Sequence, residues 1–275
     1  MNLVRSELLK IGTTSTWWIF GLISLPLWGL TLLVNYVQTT ILADPANRAQ
    51  VTGDNAEVLE AVSDGPVLAA NLYTNGQFFG LLIVMLLGVI VVTNEYFHQT
   101  ATTTFLTSPR RTEVILAKLA AASLLGLLFW LVTTVMNLIV GALLLNVLDV
   151  GTQLGTGTVW EAVGLNALAY LLWANFGVGF GVLIRSQLGA TVSAILLYLG
   201  GYLGAAIILT TLAARFGDWI NDLQLLVPSL ASQLMVAGTD LPGSPPRWAG
   251  ALILIGYALL TGIVGTMITR RRDIS

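Results

Sequence analysis

The chain contains no cysteine and a single histidine, and only 9% of its 275 residues are charged. Each scarcity excludes something. Without cysteine there is no disulfide framework, no haem attachment through thiols and no thiolate metal site. His98 has no second histidine to share a zinc ion with, so no metal site is expected. A soluble domain carries about a quarter charged residues, so this composition argues against one. The sequence also lacks the G-x-x-x-x-G-K-[ST] phosphate-binding loop, so the chain is not expected to hydrolyse ATP or to hold a cofactor. It lacks H-E-x-x-H, paired intramembrane aspartates and any evident Ser–His arrangement, so no catalytic residue is assigned. No nucleic-acid partner is expected.

What the chain does have is apolar length. Hydrophobic residues make up 56% and the mean hydropathy is +0.83. Six apolar runs stand out, at 17–41, 78–93, 116–145, 162–184, 188–212 and 248–268. A helix needs roughly 20 residues to cross the hydrocarbon layer of a bilayer. Backbone in lipid must satisfy its own hydrogen bonds, as helix or as a closed barrel. The runs are continuous rather than alternating, which favours helices. The fold class is therefore all-α integral membrane, a single six-helix domain over residues 1–275. The first run is too long for a signal-peptide core and lacks a clear cleavage site, so it reads as an uncleaved first helix.

Lysines and arginines set orientation. If the N-terminus is cytoplasmic, nine of the twelve basic residues fall inside: Arg5, Lys10, Arg110, Arg111, Lys118, Arg185 and Arg270 to Arg272. Arg48, Arg215 and Arg247 fall outside, where most acidic residues gather. Both termini are thus expected inside. Residues 223–237, too short to cross and carrying Pro228, read as a re-entrant or interfacial segment on the outer face. Residues 42–77 read as the long first outer loop. Within it 55–62 forms one or two amphipathic turns, and Pro45, Gly53, Gly65 and Pro66 punctuate the remainder. The start of the chain places Leu3, Val4, Leu8 and Ile11 near one helical face, with Arg5, Glu7 and Lys10 interleaved. That pattern fits a helix lying in the inner membrane surface.

The inner segment 94–119, NEYFHQTATTTFLTSPRRTEVILAKL, carries the functional signal. Glu95 stands at the membrane exit, and Pro109 would end a short helix because proline lacks an N–H and restricts its neighbour. Phe105 and Leu106 are apolar residues on an aqueous loop, and a bound partner is the simplest cover for them. Glu95 could anchor the segment by pairing with Arg110, Arg111 or Lys118.

This stretch resembles the permease subunits of type-two ATP-binding-cassette exporters. The family's pattern is an acidic residue, a few polar residues, Gly-Thr, an apolar pair, Ser/Thr-Pro and a lysine at the next helix. The matching positions are Glu95, Thr100, Phe105, Leu106, Ser108, Pro109 and Lys118. Tyr96 and Gln99 depart from it, where a basic residue and the glycine are usual. The resemblance implies a multi-pass plasma-membrane half-transporter, of bacterial type. It implies a coupling helix between helices two and three, and a second permease as partner. A separate ATPase subunit would bind ATP and Mg. A small hydrophobic or amphipathic substrate, such as a drug, antibiotic or lipid-like compound, is the expected cargo.

Other residues have candidate roles. Trp28, Trp130, Trp173, Tyr198 and Tyr202 lie deep in the runs and could line a substrate path, with Asn137 as an interhelical hydrogen-bond partner or a lining residue. Gly200 and Gly204, four apart, could form the dimer seam, and Gly177 and Gly181 could form another close helix contact. Trp17, Trp18, Trp160 and Trp248 sit at run boundaries as interface anchors. Two rivals remain open. A proton-coupled transporter usually needs ionisable residues at mid-membrane, and the runs have essentially none there. A non-transporting scaffold or receptor is distinguished by whether the chain recruits an ATPase.

Overall fold

The computed structural model describes residues 3–48, 54–99, 111–184, 186–240 and 244–271. They are helical almost throughout, with no strand among them. An N-terminal helix α1 (Leu3–Thr13) precedes α2 (Thr16–Ala43). A single turn α3 (Pro45–Arg48) and a short helix α4 (Asp54–Val62) follow. Next come α5 (Gly65–Tyr73), α6 (Gln77–Phe97), α7 (Arg111–Val147), α8 (Gly157–Leu183) and α9 (Gln187–Phe216). A 3-10 turn at Asp218–Leu226 leads to α10 (Pro228–Val236) and α11 (Arg247–Arg271). Six helical stretches are long and apolar enough to cross a membrane, with α5 and α6 together making one of them.

The centre of the bundle is α6 against α8. Their backbones touch because the crossing is lined with glycine. A Cβ on Gly88 would strike the Ala174 carbonyl, and one on Gly177 would strike the Met85 carbonyl. One on Gly181 would come within 2.8 Å of the Val89 carbonyl oxygen. This is the small-residue contact expected of helices in lipid. Around it Leu81, Val84, Met85, Val89, Trp173 and Val178 are fully buried. By contrast α2 is peripheral, with Leu22, Ile23, Leu30, Leu33 and Val34 exposed along its length. In a membrane that face meets lipid or a partner helix.

One segment differs from expectation: α5 lies in a region read as loop. Gly65 and Pro66 look like turn signals, but Pro66 falls in the first helical turn, where a missing N–H costs nothing. Val67, Leu68, Ala69, Ala70 and Leu72 are buried, so the helix is core rather than loop. The stretch 223–237, read as a re-entrant or interfacial helical segment, is helical, holding the end of the 3-10 segment and α10. Pro228 again starts the helix, and Ala231, Met235 and Val236 are buried on α11 and α8.

Candidate functional site: a buried ring of four charges and a polar helix break

Two polar constructions stand out in this apolar molecule. The first joins α1, α6 and α7. Glu7 is the buried residue of α1, while Leu8 and Leu9 are exposed. Helix α1 therefore turns a carboxylate, not only its apolar face, toward the bundle. The Lys10 ammonium donates to Glu7 Oε1 and to Glu95 Oε1, both at 2.6 Å. The Lys118 ammonium lies 2.8 Å from Glu7 Oε2 and 2.9 Å from Glu95 Oε1, and also donates to the Val91 carbonyl at 3.2 Å. The signs alternate around a closed ring with no net charge.

Burial makes the ring consequential. The side chains of Lys118, Glu7 and Glu95 are 4%, 6% and 8% exposed. Ions so enclosed are tolerated only when each is paired and hydrogen-bonded, and here each carboxylate faces two ammonium groups. Lys10 is the member open to solvent, at 43%. Burial by itself would lower its pKa. Its hydrogen bonds to Glu7 and Glu95 outweigh that effect and hold it above the ordinary value of 10.5. A cavity of about 330 Å³ opens beside the ring, with Thr14, Trp17, Asn94 and His98 on its wall.

The second construction is the break between α5 and α6. Gly76 has φ +80°, a left-handed conformation that glycine adopts without strain, and a Cβ there would lie 2.9 Å from Trp28 Cδ1. Carbonyls freed by the break need donors. Asn137, from the middle of α7, donates to the Tyr73 and Asn75 carbonyls at 3.1 and 2.8 Å. Its own Oδ1 accepts from Trp28 Nε1 at 2.7 Å. Asn35 of α2 donates to Asn75 Oδ1 at 2.8 Å, and Gln77 reaches the Ser232 carbonyl of α10 at 3.1 Å.

The structure brings some sequence candidates together and separates others. Glu95 and Lys118 meet in the ring, as one of the pairings considered from sequence. Arg111 opens α7. Thr100, Phe105, Leu106, Ser108, Pro109 and Arg110 lie outside the described residues. Trp28 and Asn137 meet at the helix break. Trp130 donates to the Val163 carbonyl at 3.2 Å. Trp173 and Tyr198 are buried with ring centroids 4.7 Å apart, and Tyr198 donates to the Phe78 carbonyl. Tyr202 instead faces a cavity. Gly200 and Gly204 have open space where a Cβ would stand. The boundary tryptophans Trp17, Trp18, Trp160 and Trp248 are all exposed.

Sequence reasoning missed Glu7 and Lys10 as site residues. The available signal was Lys118, a lysine entering an apolar run, which demands a partner. It also missed Asn75, in a region read as loop.

Taken together, these elements define a helical bundle of membrane-spanning type, braced at one end by buried charge and broken at the other by a polar turn. The chain belongs to the family described as Protein of unknown function (DUF2705), whose pattern matches residues 55–275. That match begins after α1 and α2, so it includes Glu95 and Lys118 of the ring. No curated protein matches the chain.

Proposed function

We propose that this chain is the transmembrane subunit of an ATP-driven exporter in a bacterial cell membrane. Two such subunits, identical or similar, would form the path, and separate ATPase subunits would supply the energy. In this reading both termini and the segment 98–110 face the cytoplasm, as the distribution of lysine and arginine favours. The dimer seam runs along α9, where Gly200 and Gly204 leave room for a close partner helix.

One observation carries the reading. The charge ring ties α1 to the two helices that flank the segment 98–110, through Glu95 on α6 and Lys118 on α7. A segment that receives a push from an ATPase must pass it to the spans without slack. Buried ion pairs with fixed partners supply such a joint, and removing any member leaves charge uncompensated.

The test is reconstitution. The purified chain is combined with ATP-binding-cassette ATPases from its own genome, and complex yield, ATP turnover and transport are measured together. A stable complex whose ATP turnover responds to a transported compound supports the proposal. A chain that recruits no ATPase and leaves ATP turnover unchanged overturns it in favour of a scaffold or receptor.

A further inference from the structure

A second cavity, of about 470 Å³, lies where α2, the α5–α6 break, α9 and α10 meet. Its volume falls in the range of small-molecule sites. Its lining is chemically unusual for a membrane bundle. Asn35, Gln38, Asn71, Gln77 and Gln233 contribute five carboxamides, and no aspartate, glutamate, lysine, arginine or histidine is among the lining residues.

Two of these amides have work elsewhere, Asn35 with Asn75 and Gln77 with Ser232. Among the described residues, Gln38, Asn71 and Gln233 make no side-chain hydrogen bond. A carboxamide offers two donors and an acceptor, and with Asn71 and Gln233 half-buried and Gln38 exposed, these groups stay open to a molecule that enters the cavity. Beside them stand apolar surfaces: Phe78 and Tyr202 with ring centroids 5.0 Å apart, and Leu30 and Val34 of α2, both more than half exposed. The cavity therefore has a polar floor and an apolar lip that continues onto the outer face of α2.

We propose that this cavity binds an uncharged amphipathic molecule. Its hydroxyl, ether or amide head would exchange hydrogen bonds with Asn71, Gln233 and Gln38. Its apolar part would lie over Leu30, Val34 and the Tyr202 ring. A neutral head is favoured over an ionic one, because the lining offers no countercharge to replace the hydration an ion gives up on entering. That the bound molecule is the exporter's cargo rests on the reading above. The site itself rests on the cavity.

The experiment uses the full chain in nanodiscs of zwitterionic lipid. Three photoreactive probes share one decyl chain with a terminal diazirine and differ in head: a glucoside, a sulfate and a trimethylammonium. The glucoside is expected to label the cavity peptides saturably, and the two ionic probes to label only in proportion to their lipid partition. Asn71→Leu and Gln233→Met, close in shape to the native side chains, should each weaken glucoside binding about fivefold, the effect of one neutral hydrogen bond. Gln38→Lys, on the exposed rim, should turn sulfate labelling saturable, a gain that misfolding cannot mimic. Equal saturable labelling by an ionic probe on the native chain overturns the inference. So does glucoside labelling that ignores both cavity variants or maps to other peptides. Saturable glucoside labelling of a chain that recruits no ATPase would sink the exporter reading and leave this site standing.

Discussion

Lys118 and Glu7 meet at 2.8 Å although 111 residues of chain separate them. The contact fixes α1 against α7, and Glu95 and Lys10 close the ring. Lys118→Met would leave two buried carboxylates sharing Lys10 alone. Removing one partner of a buried pair typically costs about 3–5 kcal/mol. The variant should therefore unfold at lower temperature and release α1 to protease. Adding Glu7→Gln restores neutrality, because only the Lys10–Glu95 pair remains. The double variant should be more stable than the sum of the two losses predicts. Strictly additive losses in thermal unfolding would mean the four charges do not act as a unit.

The exposed member of the ring predicts a pH dependence. Lys10 has its pKa raised in the folded chain, so folding favours its protonated form. Its contribution is complete below its ordinary value of 10.5 and is lost as pH rises through the higher folded value. A spin label at Leu8→Cys, possible because the chain has no cysteine of its own, would report the mobility of α1. Mobility should stay low at neutral pH and rise above about pH 10.5. Lys10→Arg, which stays charged there, should postpone that rise. Identical curves for the two proteins would assign the alkaline transition to another group.

Much of this architecture is legible in sequence, because a bilayer imposes length and continuity on each span. The run 17–41 corresponds to Thr16–Ala43 and the run 188–212 to Gln187–Phe216. What escapes is whatever depends on contact between distant elements. Gly65 and Pro66 have the same local signature in a loop and at a helix start, and only burial of α5 decides between them. Glu7 and Lys10 fit an amphipathic surface helix equally well until α6 and α7 bring Glu95 and Lys118 to meet them. Gly177 and Gly181 were readable as a close contact, but their partner, the Met85–Val89 turn of α6, was not.

The break between α5 and α6 should be sensitive at two positions for different reasons. Gly76→Ala forces a side chain into a left-handed backbone and against Trp28, at a cost on the order of 1–3 kcal/mol. Asn137→Leu keeps the volume of the side chain but deprives the Tyr73 and Asn75 carbonyls of their donor. Each buried polar group left unpaired costs about 1–3 kcal/mol. Asn137→Asp retains an acceptor for Trp28 but no amide donor, so it should not rescue the leucine variant. Thermal unfolding in detergent reads all three. Native stability for Asn137→Leu would show that water replaces the amide at the break.

The coupling role can be tested at the segment that the ring flanks. Labelling should come first: a cysteine at Ala61 is expected to react from outside the cell and one at Gln187 only from inside. Reversed labelling would place the segment 98–110 away from any cytoplasmic ATPase. With that settled, Phe105→Ala removes the larger of the two apolar side chains proposed to dock on the ATPase. An apolar anchor buried at an interface contributes about 2 kcal/mol, which corresponds to roughly thirtyfold weaker recruitment. Membrane insertion should be unchanged, because it depends on the apolar spans. Lys118→Met acts differently, since it loosens the joint without touching the docking surface. It should leave recruitment near the native value and lower transport per ATP hydrolysed. Full recruitment and full coupling in Phe105→Ala, Leu106→Ala and Lys118→Met alike would remove both the docking surface and the ring from the mechanism.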